Sequence, residues 1–231
     1  MRPLTLTADM ALAAILGPKT ETRRPLNPQP PAGMNFVDLL DGSKDERFYA
    51  WTEECDRLPN APTWKAPFGL PGTELWLREP GRIAELAYSD GSVPLLTIEY
   101  LTDKARRVVP LPDRLGLEDL GRDPSWLKVG HGIPNGIFRE AARFKTVVIN
   151  VRVERLQDIS SYGAAAEGFD NMPGEDRIRF GEVDCYGTRR VNYAMRGFIR
   201  TWDRIYGKRP GLSWADNPWV SVTAWDRMVA I

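Results

Sequence analysis

Lys19, Thr22 and Arg24 place an amine, a hydroxyl and a permanent cation on one short stretch of chain. A lysine whose pKa is lowered by burial or by neighbouring cations can act as the base for a threonine hydroxyl. Arg23 and Arg24 are suitable neighbours for that, and Arg24 can alternatively hold an anion or a carbonyl oxygen. The competing reading is a solvated basic turn after a helix, where the helix dipole favours positive charge.

The elements that would position these groups can be read on either side. Met10 to Leu16 is an apolar helical run in which Leu12, Ile15 and Leu16 have the spacing to face a core. Thr7 or Asp9 can cap its start, Gly17 its end, and Pro18 blocks continuation. The segment from Lys19 to Arg24 then reads as a polar segment anchored at one end, or as a solvated turn in the competing reading, and the proline-rich run Pro25 to Pro31 as an extended crossing. Strands are expected over Arg2 to Thr7, Arg47 to Trp51, Glu74 to Glu79, Leu95 to Tyr100, Phe144 to Arg155 and Trp219 to Trp225. Helices are expected from Ile159–Ser161 to Glu167, closed by Gly168, and from Val191 to Ile205, with Phe198, Trp202 and Ile205 inward. Short strands with a few helices make an α+β protein, read as a single domain over residues 1–231 with insertions near 32–64, 102–134 and 171–190. The second insertion reads as irregular and the third as a mobile loop.

Composition narrows the classes. Lys+Arg 31 against Asp+Glu 31 gives no net charge, which argues against broad nucleic-acid binding and leaves room for a small basic site. Cys55 and Cys185 lack metal-type spacing and suit a reducing cytoplasm, and the single histidine, His131, excludes a His-rich metal site. No apolar run approaches membrane-spanning length. No phosphate loop or Ser/His/Asp set is present, and no metal or cofactor is expected.

Gly17, Lys19 and Arg24 form a Gly-x-Lys-x-x-x-x-Arg pattern that resembles the signature of the ASCH domain. The longer string Lys19 to Pro25, with Pro28-Gln29-Pro30-Pro31 after it, is similar to the ASCH proteins of bacteriophages and prophages. Later blocks agree in order: Gly69 to Glu79, Val151 to Ser160, Ala166-Glu167-Gly168, and Asn217-Pro218-Trp219-Val220. The resemblance implies a PUA-like mixed β-barrel with flanking helices, related to RNA-binding modules. It also implies a chemistry, because an ASCH-like bacterial enzyme removes the acetyl group from N4-acetylcytidine. That enzyme uses a lysine and a threonine in Lys-Thr-x-Thr-x-Arg and a glutamate on the helix after the long strand. Lys19 and Thr22 match the first two, and Glu167 is the best match to the third. In that scheme Thr22 is the nucleophile, Lys19 its base, and Glu167 an orienting carboxylate or water activator. A direct attack by water, organised by Lys19 and Glu167, suits the same residues.

Further candidates for contact with the substrate are Arg23, Arg24, Trp76, Glu79, Arg139 and Arg143. Glu79 reads first as a strand-end carboxylate paired with Arg78 or another arginine, and Arg139 and Arg143 can bind phosphate or brace the pocket. The expected partner is a modified pyrimidine nucleoside or nucleotide, or a short RNA. The alternatives are a non-catalytic RNA- or nucleotide-binding module, a metal-dependent ribonuclease, and a phage morphogenetic protein.

Overall fold

The β-branched and aromatic runs do form strands, and the chain is α+β. The computed structural model describes residues 1–34, 36–39, 46–51, 62–87, 94–112, 127–169 and 193–231. Along these the order is β1 (Arg2–Thr5), α1 (Ala8–Leu16), β2 (Glu21–Pro25), β3 (Phe36–Leu39), β4 (Arg47–Trp51), β5 (Trp64–Lys65) and β6 (Glu74–Arg78). There follow β7 (Gly81–Ala87), β8 (Leu95–Tyr100), β9 (Arg106–Pro110), β10 (Phe144–Arg155), α2 (Ser161–Ala166), α3 (Tyr193–Tyr206), β11 (Trp219–Trp225) and β12 (Val229–Ala230). Among the described residues no helix is long and apolar enough to cross a membrane.

These elements group into two compact units. The first comprises Met1–Ile15, Glu74–Thr146 and Met228–Ile231. In it β1 runs parallel to β6, β12 pairs with the start of β10, and β7, β8 and β9 form an antiparallel sheet. Its core gathers Ile83, Leu96, Ile98, Tyr100 and Ile137, all fully buried, together with Trp76.

The second unit comprises Leu16–Thr73 and Val147–Arg227. Here β11 lies between β10 and β2, antiparallel to both, and β3, β4 and β5 make a small antiparallel sheet. Every residue of β11 is buried, as befits a strand paired on both edges. Phe198 and Trp202 of α3 pack with Phe169 and Trp214, and Tyr206 stacks on Trp202 at 4.5 Å. Within either unit the strand pairings of the described residues do not close into a ring.

Several expectations are corrected. The stretch Glu21–Pro25 is a strand rather than a turn, because β11 satisfies its backbone and ion pairs gather its charges. Residues 102–134 are not wholly irregular, since Arg106–Pro110 pairs with β8; positions 113–126 lie outside the described residues. In α1 the small residues Ala11 and Ala14 make the close contact, while Leu16, at the helix end, is 69% exposed. Ile205 is also exposed, and Tyr206 takes the place by Trp202 expected for it. The loop expected over 171–190, along with Cys55 and Cys185, falls outside the described residues.

Gly136 illustrates how tightly the first unit is set. Its φ is +90°, and a Cβ there would lie 2.8 Å from the Glu79 carbonyl oxygen. Gly33 has a similar φ of +87° with nothing near. Gly33→Ala should therefore cost about 1 kcal/mol from backbone strain alone, and Gly136→Ala at least about 2 kcal/mol. Urea unfolding midpoints compare the two, and equal losses would show that the contact at Glu79 is unimportant.

Candidate active site

The site is built at the free edge of β2. One edge of β2 pairs with β11, and the segment just before it, Lys19–Thr20, meets the end of α2. Lys19 forms an isolated antiparallel bridge with Glu167, and the Thr20 amide donates to the Ala166 carbonyl at 2.8 Å. Ser160 caps the start of α2 by accepting from the Gly163 amide, and Gly168, at φ +95°, ends the helical path just after Glu167. Glu167 thus sits at the C-cap, where the helix dipole is unfavourable for a carboxylate. Cations must offset that cost.

Lys19 and Arg23 are those cations. Lys19 Nζ donates to Glu167 Oε2 at 2.7 Å, to the Glu167 carbonyl at 2.9 Å and to the Glu21 carbonyl at 2.8 Å. Its three protons are then all used, in a side chain that is 2% exposed. Complete burial pushes the Lys19 ammonium below its ordinary pKa; Glu167 opposes this, and Arg24 and Arg23 add to it. The Trp225 ring lies 5.8 Å from Nζ and supplies part of the low-dielectric wall.

Arg23 ties the pair to the sheet. Its guanidinium donates to Glu154 at 2.8 Å and Glu167 Oε1 at 3.3 Å, lies 3.2 Å from the Glu21 carboxylate, and rests 5.9 Å from the Phe198 ring. Arg152 closes the set with paired bonds to Glu21 at 3.0 and 3.1 Å and one to Glu154 at 3.0 Å. Three cations (Lys19, Arg23, Arg152) therefore face three carboxylates (Glu21, Glu154, Glu167). Gly163 admits Arg23, for a Cβ at that position would stand 2.9 Å from the guanidinium.

The strand register separates Thr22 from this cluster. Arg23 is level with Val222 and Arg152, whereas Thr22 is level with Thr223 and Val151. Adjacent residues of a strand point to opposite faces, so Thr22 and Arg24 project away from the face that Arg23 occupies. Thr22 is buried beside Thr223, and among the described residues no hydrogen bond joins its hydroxyl to Lys19 or Glu167. Lys19 and Glu167 meet; Thr22 does not join them.

The remaining candidates belong to the first unit. Glu79 is fully buried and is held by Arg143, not by its neighbour Arg78, and the Thr102 hydroxyl donates to it at 2.7 Å. Arg143 also pairs with Asp103 at 2.9 Å and lies 3.8 Å from the Tyr100 ring, so these two candidates hold each other in a structural clamp. Trp76 is 4% exposed, with the Arg78 guanidinium 5.3 Å from its ring, and is thus no open stacking platform. Arg139 and His131 are exposed. The residues that sequence reasoning passed over are Glu21, Arg152 and Glu154. Their signal was present, because Val151-Arg152-Val153-Glu154 alternates apolar and charged residues with the period of a strand.

Compared with protein-family models, with curated proteins and with solved structures, the chain matches none.

Breaking the buried pair from one side should be costly. Glu167→Gln leaves the Lys19 ammonium without its counter-charge and should lose about 3–5 kcal/mol, whereas joint replacement by Lys19→Met and Glu167→Leu should lose much less. The pH dependence has a fixed sign. Because the folded pKa of Lys19 lies below its unfolded 10.5, the unfolded chain binds more protons between the two values. The parent should therefore gain stability over Lys19→Met as pH rises towards 10.5, and lose it as pH falls through the folded pKa. Urea titrations across that range check it, and a flat difference would contradict the assignment.

Proposed function

We propose that this chain is an ASCH-type protein with a PUA-like fold that hydrolyses the amide of an N-acylated pyrimidine nucleoside or nucleotide. One observation supports this above the rest. Lys19 and Glu167, each picked out by its own stretch of the resemblance, are 148 positions apart and lie 2.7 Å from each other in a buried site. An amine held below its ordinary pKa beside a carboxylate is a pair able to exchange one proton.

The position of Thr22 favours water over the threonine as nucleophile. Glu167 takes a proton from water as its oxygen bonds to the amide carbonyl carbon. The Lys19 ammonium stabilises the resulting oxyanion and gives a proton to the departing exocyclic amine as the C–N bond breaks, and the proton on Glu167 then passes to Lys19. The products are the free carboxylic acid and the exocyclic amine. For this the substrate carbonyl must displace one acceptor from Nζ, and the uncharged ones are the backbone carbonyls of Glu21 and Glu167.

A second reading is favoured by the same coordination. With all three Nζ protons satisfied internally, the pair can serve purely to pin α2 to β2 in a non-catalytic nucleotide-binding module. Turnover of N4-acetylcytidine, followed by chromatography, separates the readings. The parent should be active, Lys19→Ala and Glu167→Gln should lose about 10²–10⁴-fold, and Thr22→Val should stay within a few-fold of the parent. Loss of activity in Thr22→Val equal to that in Lys19→Ala would restore the threonine nucleophile. A folded parent that binds cytidine derivatives without turnover would establish the binding module.

A further inference from the structure

Arginines without carboxylate partners among the described residues cluster in the first unit. Trp76, Arg107, Arg139 and Glu140, with Met1 and Ile231, line a cavity of about 360 Å³. Arg107 gives one bond to the Ala142 carbonyl at 2.9 Å, and Arg139 approaches the weak acceptor Met1 Sδ at 3.9 Å. Among the described residues neither forms an ion pair. Arg78 is not part of the lining but shares the face of β6 that carries Trp76, its guanidinium 5.3 Å from the indole. The Nε atom of Arg78 is shielded from water and has no hydrogen-bond partner. Glu140 is the acidic side chain of the lining, and it has an interaction of its own.

A buried donor without an acceptor costs stability, and native proteins leave few of them without a function. Other arginines of this unit show the usual remedy. Arg143 is bound to Glu79 and Asp103, and Arg82 and Arg106 both reach Glu99. Among the described residues Arg78, Arg107 and Arg139 have no such acid. Guanidinium groups offer paired donors that match the oxygens of a phosphate, and several cations without counter-charge suit a dianion better than a single carboxylate. The cavity lies at the small end of the range for ligand sites, which fits a mononucleotide and not a duplex.

We propose that this cavity is a binding site for the phosphate group of a small phosphorylated ligand, held by Arg107 and Arg139 with Arg78 behind them. It is separate from the Lys19–Glu167 site and does not depend on the hydrolase reading. Isothermal titration calorimetry of the full chain with inorganic phosphate, cytidine 5′-monophosphate and cytidine tests it. Phosphate and the nucleotide should bind, and Arg107→Gln and Arg139→Gln should each weaken that binding about tenfold or more, while any binding of cytidine should be indifferent to both variants. Both arginines are exposed, so these variants should fold as the parent does. Tighter binding of the nucleotide than of phosphate assigns the anion to a nucleotide, and equal binding assigns it to free phosphate. Absence of binding by either, or affinity indifferent to both arginine variants, would overturn the proposal.

Discussion

A lysine ammonium carried to the edge of a sheet and sealed from water requires a counter-charge, and Glu167 supplies it at 2.7 Å. Much of the second unit's local structure follows from that requirement. The end of α2 must lie against β2, so the bridge between Lys19 and Glu167 forms and Ala166 accepts the Thr20 amide. Arg23 must reach the same carboxylate, and the glycine at 163 leaves room for its guanidinium. Arg23 in turn needs Glu154 and Glu21, and Arg152 balances those two. The charges sum to zero within the cluster, consistent with the neutrality of the whole chain.

Such a cluster is a poor way to gain stability. Desolvating ions costs several kcal/mol each, and apolar replacements of similar volume are often as stable or more so. Hydrophobic packing was within reach here, since Trp225 and Phe198 already wall the cluster. The retention of a buried lysine in that setting is why we favour chemistry over architecture. Burial also does the tuning, because it moves the ammonium towards the range where it can give up a proton.

The parts of this picture that were legible in the sequence are those set by local physics. The β-branched run of Phe144–Arg155 and the Trp219–Trp225 strand are long and periodic, and Gly17 and Gly168 end helical paths at positive φ as their positions suggested. The Lys19 and Glu167 pairing was legible only through family resemblance, since no spacing rule joins residues 148 apart. Glu21–Pro25 was misread because its strand character comes from its partner β11 and not from its own polar residues. The place of Thr22 was hidden for the same reason: only a register says which way a strand residue points. Glu79 and Arg143 show the reverse case, in which the alternative of a carboxylate paired with an arginine, and not a ligand contact, is what the structure has.

The central claim is that Lys19 is a cation held below its ordinary pKa by burial and kept charged by Glu167. The most direct measurement is a ¹³C NMR titration of the chain labelled at lysine Cε, with the Lys19 signal assigned from Lys19→Met. The account predicts a midpoint below 10.5 that falls further in Glu167→Gln. A midpoint at or above 10.5, unmoved by Glu167→Gln, would contradict it.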